Sequence, residues 1–200
     1  DCLLSRGLGD VYKRQSLEGA DVRWSANDAL GIFSGTKFVN AKFTTKDDNA
    51  ASATFTGDAT DAEGTEAAKA FAYYPYAAGA TLEGTTVSGL EILAVQTFAE
   101  GTFATTLNPM AAVGEDHTSL AFRSVGAVLR FKLTGTDTFN KLILTGNNDE
   151  SIAGAYALDF SGEVPAMTFS GEGKSITVTC ASDVTLKTDV ATEVLSLIHI

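Results

Sequence analysis

Few side chains in this 200-residue chain are equipped for chemistry, and their spacing argues against most of it. His117 lies in the polar stretch 114–119. A hydrolytic triad needs a nucleophile, a base and an orienting acid that meet in space. Serine and aspartate are plentiful, but the chain has no G-x-S-x-G nucleophile elbow. His117 is therefore expected on the surface. Asp58, Asp61, Glu63 and Glu66 crowd one glycine-containing loop, and Asn147, Asn148, Asp149 and Glu150 crowd another. Clustered oxygens suit calcium, but the first string lacks the alternate-position spacing of a calcium loop. Asx residues in turns usually serve the backbone, so both are expected to be solvated turns. Residues 171–175 (GEGKS) resemble the end of a phosphate loop. Position 168 is Thr where that pattern needs Gly, and an alternating strand follows where it needs a helix. A hairpin turn is expected there. Cys180 lies on the apolar face of that strand and is expected to be a buried, inert thiol. No catalytic, cofactor-binding or metal-binding residue is expected, and neither is a cofactor or an enzymatic activity.

The two ends change this inventory. Residues 10–15 read DVYKRQ and residues 195–200 read LSLIHI. GATGTGTATAAGAGACAG encodes the first string, and its reverse complement, CTGTCTCTTATACACATC, encodes the second. One DNA element, inverted at the ends of a coding fragment, yields both. It resembles the mosaic end of transposase-based sequencing libraries, and residues 5–9 (SRGLG) fit the adapter upstream of it. Residues 1–15 and 195–200 are therefore expected to be non-native and carry no functional argument. The full chain has 14 Lys+Arg against 25 Asp+Glu, a net charge of −11. The head takes three bases and two acids with it, so residues 16–194 carry −12. Cys180 and His117 remain as the lone cysteine and histidine, too few for a typical zinc site or a disulfide within the domain.

The elements that must position any site read as strands. The length suits one domain of ordinary size rather than two. A 44% hydrophobic content excludes a disordered chain. No apolar run reaches the roughly 18 residues of a membrane helix. The acidity argues against nucleic-acid partners, which call for cationic surface. Threonine occurs 25 times, and short apolar runs are separated by Gly, Asn, Asp and Ser. That is the pattern of an all-β domain. Residues 175–180 (SITVTC) put Ile176, Val178 and Cys180 on one face. Residues 127–133 (AVLRFKL) oppose Leu129, Phe131 and Leu133 to Val128, Arg130 and Lys132. Each fits a strand with one buried and one wet face. Further strands are expected over 21–24, 29–34, 38–44, 53–56, 69–76, 85–88, 91–97, 119–123, 140–144, 153–160, 166–170 and 184–186. A helix over 63–70 is disfavoured by Gly64 and Thr65.

In residues 71–76 (FAYYPY), Phe71 and Tyr73 share one face, and Ala72 and Tyr74 the other. Pro75 cannot donate to a ladder, so the strand should end there or lie at an edge. Exposed Tyr74 and Tyr76 on such an edge would form a candidate partner- or glycan-binding surface.

Several strings together resemble the fimbrillin-like (Mfa-like) family. Residues 24–33 (WSANDALGIF) are similar to its "W-x-x-x-D-x-I-G-x-F" opening, and FAYYPY to its "F-x-A-Y-Y-P-Y" strand with one residue fewer. Gln96-Thr97 followed by residues 109–112 (PMAA) is similar to its "Q-T … P-M-A-A" segment. Residues 120–131 resemble "L-x-F-x-H-x-x-A-x-L-x-F", without the histidine, and residues 154–162 resemble the stretch that follows. These strings cover about residues 23–162. The resemblance implies an exported protein of Gram-negative anaerobes, usually a lipoprotein, found at the cell surface, outer membrane or fimbrium. It also implies transthyretin-like β-sandwich domains and polymerisation by strand exchange with other pilus subunits. The expectation is thus an all-β, transthyretin-like or immunoglobulin-like antiparallel sandwich over residues 16–185. Residues 186–194 would begin a linker or a truncated second domain. The role expected is a non-catalytic structural or adhesive fimbrial subunit, with other subunits or surface ligands as partners and any lipid anchor in the missing N-terminus. A carbohydrate-binding surface lipoprotein on the same fold is the alternative. Trp24, Phe33, Phe71, Tyr73, Leu129, Phe131, Ile176 and Val178 are the expected core.

Overall fold

Runs of β-branched and aromatic residues, interrupted every few positions by turn formers, favour strands over helix. The computed structural model describes residues 2–4, 23–57, 63–103 and 108–199, with the backbone alone for 2–4 and 103. Among these are seventeen strands and no helix. The first nine are β1 (Cys2–Leu4), β2 (Ala29–Ser34), β3 (Phe38–Thr45), β4 (Ala53–Gly57), β5 (Ala70–Tyr74), β6 (Thr81–Glu83), β7 (Thr86–Ile92), β8 (Val95–Ala99) and β9 (Thr102–Phe103). The rest are β10 (Met110–Gly114), β11 (Arg123–Ser124), β12 (Ala127–Leu133), β13 (Thr138–Thr145), β14 (Gly154–Asp159), β15 (Ala166–Phe169), β16 (Ser175–Thr185) and β17 (Thr192–Ile198). The protein is all-β, and no helix among the described residues is long and apolar enough to cross a membrane.

Four sheets run in the orders β1-β4-β3-β2-β5-β10-β11, β15-β14-β7-β6, β13-β16-β8-β9 and β12-β17. One pair departs from the antiparallel expectation: β8 and β16 run parallel, with Val95, Gln96 and Thr97 beside Thr177, Val178 and Thr179. Several boundaries also differ. Residues 85–97 fall into β7 and β8, separated by Leu93 and Ala94. In the 119–124 region Arg123 and Ser124 pair as β11, and Ser119 makes a lone bridge. The expected strand at 184–186 is the far end of β16. Residues 21 and 22 lie outside the described residues, and Trp24 makes a single bridge to Ala50. No helix forms over the 63–70 candidate. Its backbone is used instead as a docking rail, with the Thr65 carbonyl accepting the N–H groups of Thr36 and Lys37.

β5 ends at Tyr74, before a cis Tyr74–Pro75 bond. It is not an edge, since β2 and β10 pair on its two sides. Both of its faces are buried. Ala70, Ala72 and Tyr74 join a core with Trp24, Leu30, Ile32, Phe38, Phe43 and Phe55. Phe71 and Tyr73 face the other way, into a core with Phe33, Tyr156, Leu158, Phe160, Ile176 and Val178. Leu129, Phe131 and Leu133 of β12 pack against that second core. Trp24, Phe33, Tyr73, Ile176 and Val178 are buried, while Phe71, Leu129 and Phe131 are half-buried at its margin.

β17 includes Leu195–Ile198, the residues whose coding matches the inverted DNA element, and they are buried. β1, from the other end, pairs with β4. A ladder is made by main-chain groups, so an apolar, strand-forming string can fill an open edge whatever its source.

Candidate functional site

The feature best suited to binding follows from which strand edges stay unpaired. Within the described ladders β12 pairs only with β17, and β13 only with β16. The seam between β8 and β17 is closed not by a ladder but by one buried side chain. Gln96 Nε2 donates to the Leu197 carbonyl at 2.8 Å, and Gln96 Oε1 accepts the Leu197 N–H at 3.0 Å. Among the described residues the second edge of β12 and the second edge of β13 therefore both lack a ladder partner.

Between them opens a cleft of about 950 Å³. Leu129 and Phe131 of β12, Leu144 of β13, Ile152, Phe169 and Ile198 supply its apolar lining. Ile198 belongs, like His199 beside it, to the end expected to be non-native, so any native binding rests on β12, β13, Ile152 and Phe169. Ile143 stands at its rim and is 55% exposed. A smaller cleft of about 240 Å³ continues along Val125, Gly126 and Ala127 to Met167. His199 borders both clefts and stacks flat on Phe169, with ring centroids 3.9 Å apart. Unpaired strand edges beside an apolar trench offer main-chain donors and acceptors together with pockets for alternate side chains, the two things an added strand uses.

The aromatic surface expected at Tyr74 does not form. Tyr74 is 0% exposed, because β5 is central and its second face is roofed by Trp24 and its neighbours. Its hydroxyl donates to Asp28 Oδ1 at 3.1 Å, and its ring lies edge-on to Trp24 at 5.6 Å. Three positions of the sequence resemblance, Trp24, Asp28 and Tyr74, thus meet in one buried cluster. Tyr76 is half-buried, with Lys42 Nζ 5.4 Å from its ring centroid.

Tyr73 is equally buried and hydrogen-bonded. Its hydroxyl lies 2.7 Å from Asn40 Oδ1 and 2.9 Å from the Ala77 carbonyl, and accepts the Ala77 N–H. Burial pushes its pKa from 10.0 up to about 12, and burial also raises that of Tyr156. A raised folded pKa means that the folded state holds the proton more tightly than the unfolded chain. The stability this supplies is complete below pH 10 and is lost as pH rises through about 12. Urea titrations across that window should show the wild type weakening more steeply than Tyr73→Phe. The difference should be at most about 1.4 kcal/mol per pH unit. Equal slopes would remove Tyr73 from the alkaline transition.

His117 is not an exposed surface residue. Its side chain is 14% exposed, Nδ1 lies 2.8 Å from Glu66 Oε2, and its ring packs 4.6 Å from that of Phe38. Lys37 approaches the same carboxylate at 3.4 Å. The cluster ties the β2–β3 turn to residues 66 and 117 and borders neither cleft. Asp58 and Asp61 lie outside the described residues, and Glu63 is exposed. In the second acidic turn Glu150's own backbone N–H, and then the backbone N–H and side-chain amide of Asn148, hold its carboxyl below the usual range. Among the described residues no group of three or more His, Cys, Asp or Glu is placed to hold a metal. The hairpin expected at GEGKS does not form, because β15 pairs with β14, and β16 with β13 and β8. Residues 171–174 instead cross between sheets, with Gly173 bridged to Ala153 and Lys174 donating to Asp149 and Ser151. Cys180 is half-buried rather than buried, and partial burial beside Asp183 raises its thiol pKa.

No sequence pattern marked the cleft, because it arises from ladders that do not form. No family model, curated protein or solved structure matches the chain, so the reading of its role rests on this groove and on the buried motif cluster.

Proposed function

We propose that this chain is a non-catalytic structural subunit of an exported surface fibre, a fimbrial subunit that joins its neighbours by β-strand exchange. The observation that carries this reading is the apolar cleft bounded by the unpaired edges of β12 and β13. An incoming strand would gain main-chain hydrogen bonds along an edge and bury alternate side chains against Leu129, Phe131 and Phe169. The convergence of Trp24, Asp28 and Tyr74 agrees with the fimbrillin-like resemblance, whose motif positions then serve the fold. Exposed Tyr74 and Tyr76 would have favoured the carbohydrate-binding alternative; Tyr74 is in the core and Tyr76 is half-buried, so neither tyrosine supports it.

Amide hydrogen exchange tests the acceptor role directly. A heptapeptide alternating Val and Thr, VTVTVTV, should slow exchange of amides in β12 and β13 and leave β2 and β5 unchanged. Ile143→Asp should abolish that protection. Ile143 is exposed, so the substitution should alter stability by no more than about 0.5 kcal/mol. Unchanged exchange in β12 and β13 at saturating peptide would refute the acceptor reading.

A further inference from the structure

The charge bordering this groove is mixed in sign: Glu150 lines the cleft, while cations gather on the strands beside it. The protein carries −11 overall, yet the exposed face of β12 presents Arg130 and Lys132, and that of β13 presents Lys141. Alternation places Arg130 and Lys132 two residues apart on one face of β12, opposite Leu129 and Phe131, which line the cleft. A strand laid along this edge would therefore be read twice, by apolar pockets on its inner side and by cations on its outer side.

The other edge of β12 already shows how these cations read a neighbouring strand. There Glu193 of β17 sits opposite Lys132 in the ladder. Its carboxylate takes Arg130 Nη2 at 2.7 Å and Lys132 Nζ at 3.3 Å. One carboxylate thus faces two cations, which leaves positive charge in excess on that face. Glu150, on the cleft wall, is engaged by Asn148 on its own turn.

We propose that the groove between β12 and β13 selects an extended strand that alternates apolar and acidic residues. Its apolar side chains enter toward Leu129, Phe131 and Phe169, and its carboxylates lie beside Arg130, Lys132 and Lys141. This rests on the strand-acceptor reading and adds the chemistry of the partner. Opposite charges on neighbouring strands contribute roughly 0.2–1 kcal/mol per pair. Two or three such pairs amount to about a fivefold gain in affinity over a neutral strand.

The test uses the full chain and three fluorescein-labelled heptapeptides, VEVEVEV, VTVTVTV and VKVKVKV, read by fluorescence anisotropy. The glutamate peptide should bind about fivefold tighter than the threonine peptide, and the lysine peptide weakest. High salt should shrink the gap, since these cations are exposed to solvent. Lys132→Gln combined with Lys141→Gln should erase the preference and leave VTVTVTV affinity unchanged. Arg130→Gln, which shortens the side chain and removes its charge, should narrow the glutamate preference as well; an unchanged preference would count against the cations of β12. Equal affinity for the three peptides would overturn the charge selection while leaving the strand acceptor standing. Failure of all three to bind would overturn both. A glutamate preference that survives Ile143→Asp would place the binding elsewhere and overturn the assignment to this groove.

Discussion

Gly31→Ala should destabilise the protein by about 3 kcal/mol, although it adds a single methyl group to a residue in a regular strand. A Cβ at Gly31 would clash with the hydroxyl-bearing edge of Tyr73, lying 2.5 Å from Cζ, 2.6 Å from the hydroxyl oxygen and nearer still to Cε1. Overpacking a core costs typically 1–3 kcal/mol when neighbours cannot give. Tyr73 cannot give cheaply. Its ring stacks on Phe33 at 6.2 Å, it is fully buried, and its hydroxyl is held by Asn40 and Ala77. Moving it would strain or break those bonds, each of which contributes about 1 kcal/mol. The glycine of the "G-x-F" string and the first tyrosine of FAYYPY therefore form one unit, paired at Gly31↔Tyr73 across β2 and β5. Urea unfolding followed by the fluorescence of the single tryptophan reads this directly. In a Tyr73→Leu background the same Gly31→Ala change should cost much less, because the ring it meets is gone. Equal costs in the two backgrounds would show that the methyl group clashes elsewhere.

How far such relations are legible depends on the range of the interaction that sets them. The alternation in AVLRFKL is a local signal, and β12 follows it residue by residue, with Leu129, Phe131 and Leu133 toward the core and Val128, Arg130 and Lys132 outward. The run ALGIFS likewise marks β2 at both ends. Alternation fails for β5 because it reports only that two faces differ. It cannot show that a second core covers the face carrying Tyr74. The parallel pairing of β8 with β16 joins residues more than eighty positions apart and leaves no trace in the composition of either strand. His117 reads as a loop histidine because its partner, Glu66, is 51 residues away. The groove is the extreme case. Leu129, Phe131 and Leu144 look like ordinary core residues, and only the missing ladder between β12 and β13 turns them into a site.

Trp24→Ala should have the largest effect of any single substitution considered, about 3–5 kcal/mol, within reach of unfolding a domain of ordinary stability. Trp24 contributes to no named strand, and its backbone is held by one bridge to Ala50. Its ring nevertheless joins segments that no ladder connects. It lies edge-on to Phe55 at 5.0 Å, Phe122 at 5.5 Å and Tyr74 at 5.6 Å, and so links β4, β5 and the segment before β11. Edge-to-face aromatic pairs are worth roughly 0.5–1.5 kcal/mol beyond area burial, so three of them carry the estimate to the top of its range. Asp28 turns the cluster from a packing arrangement into a directional one. Oδ2 accepts the Ser25 N–H at 2.9 Å, closing the turn after Trp24, while Oδ1 accepts the Tyr74 hydroxyl. Tyr74→Phe keeps the ring and removes that donor, at a cost of about 1–3 kcal/mol for a carboxylate oxygen left buried. Asp28→Ala with Tyr74→Phe should then cost less than the sum of the two single changes, because each removes half of the same bond. Circular dichroism melts of the four proteins measure the coupling. Strict additivity would mean that the Asp28–Tyr74 contact carries no energy of its own, leaving packing in the shared core to hold β5 against the turn before β2.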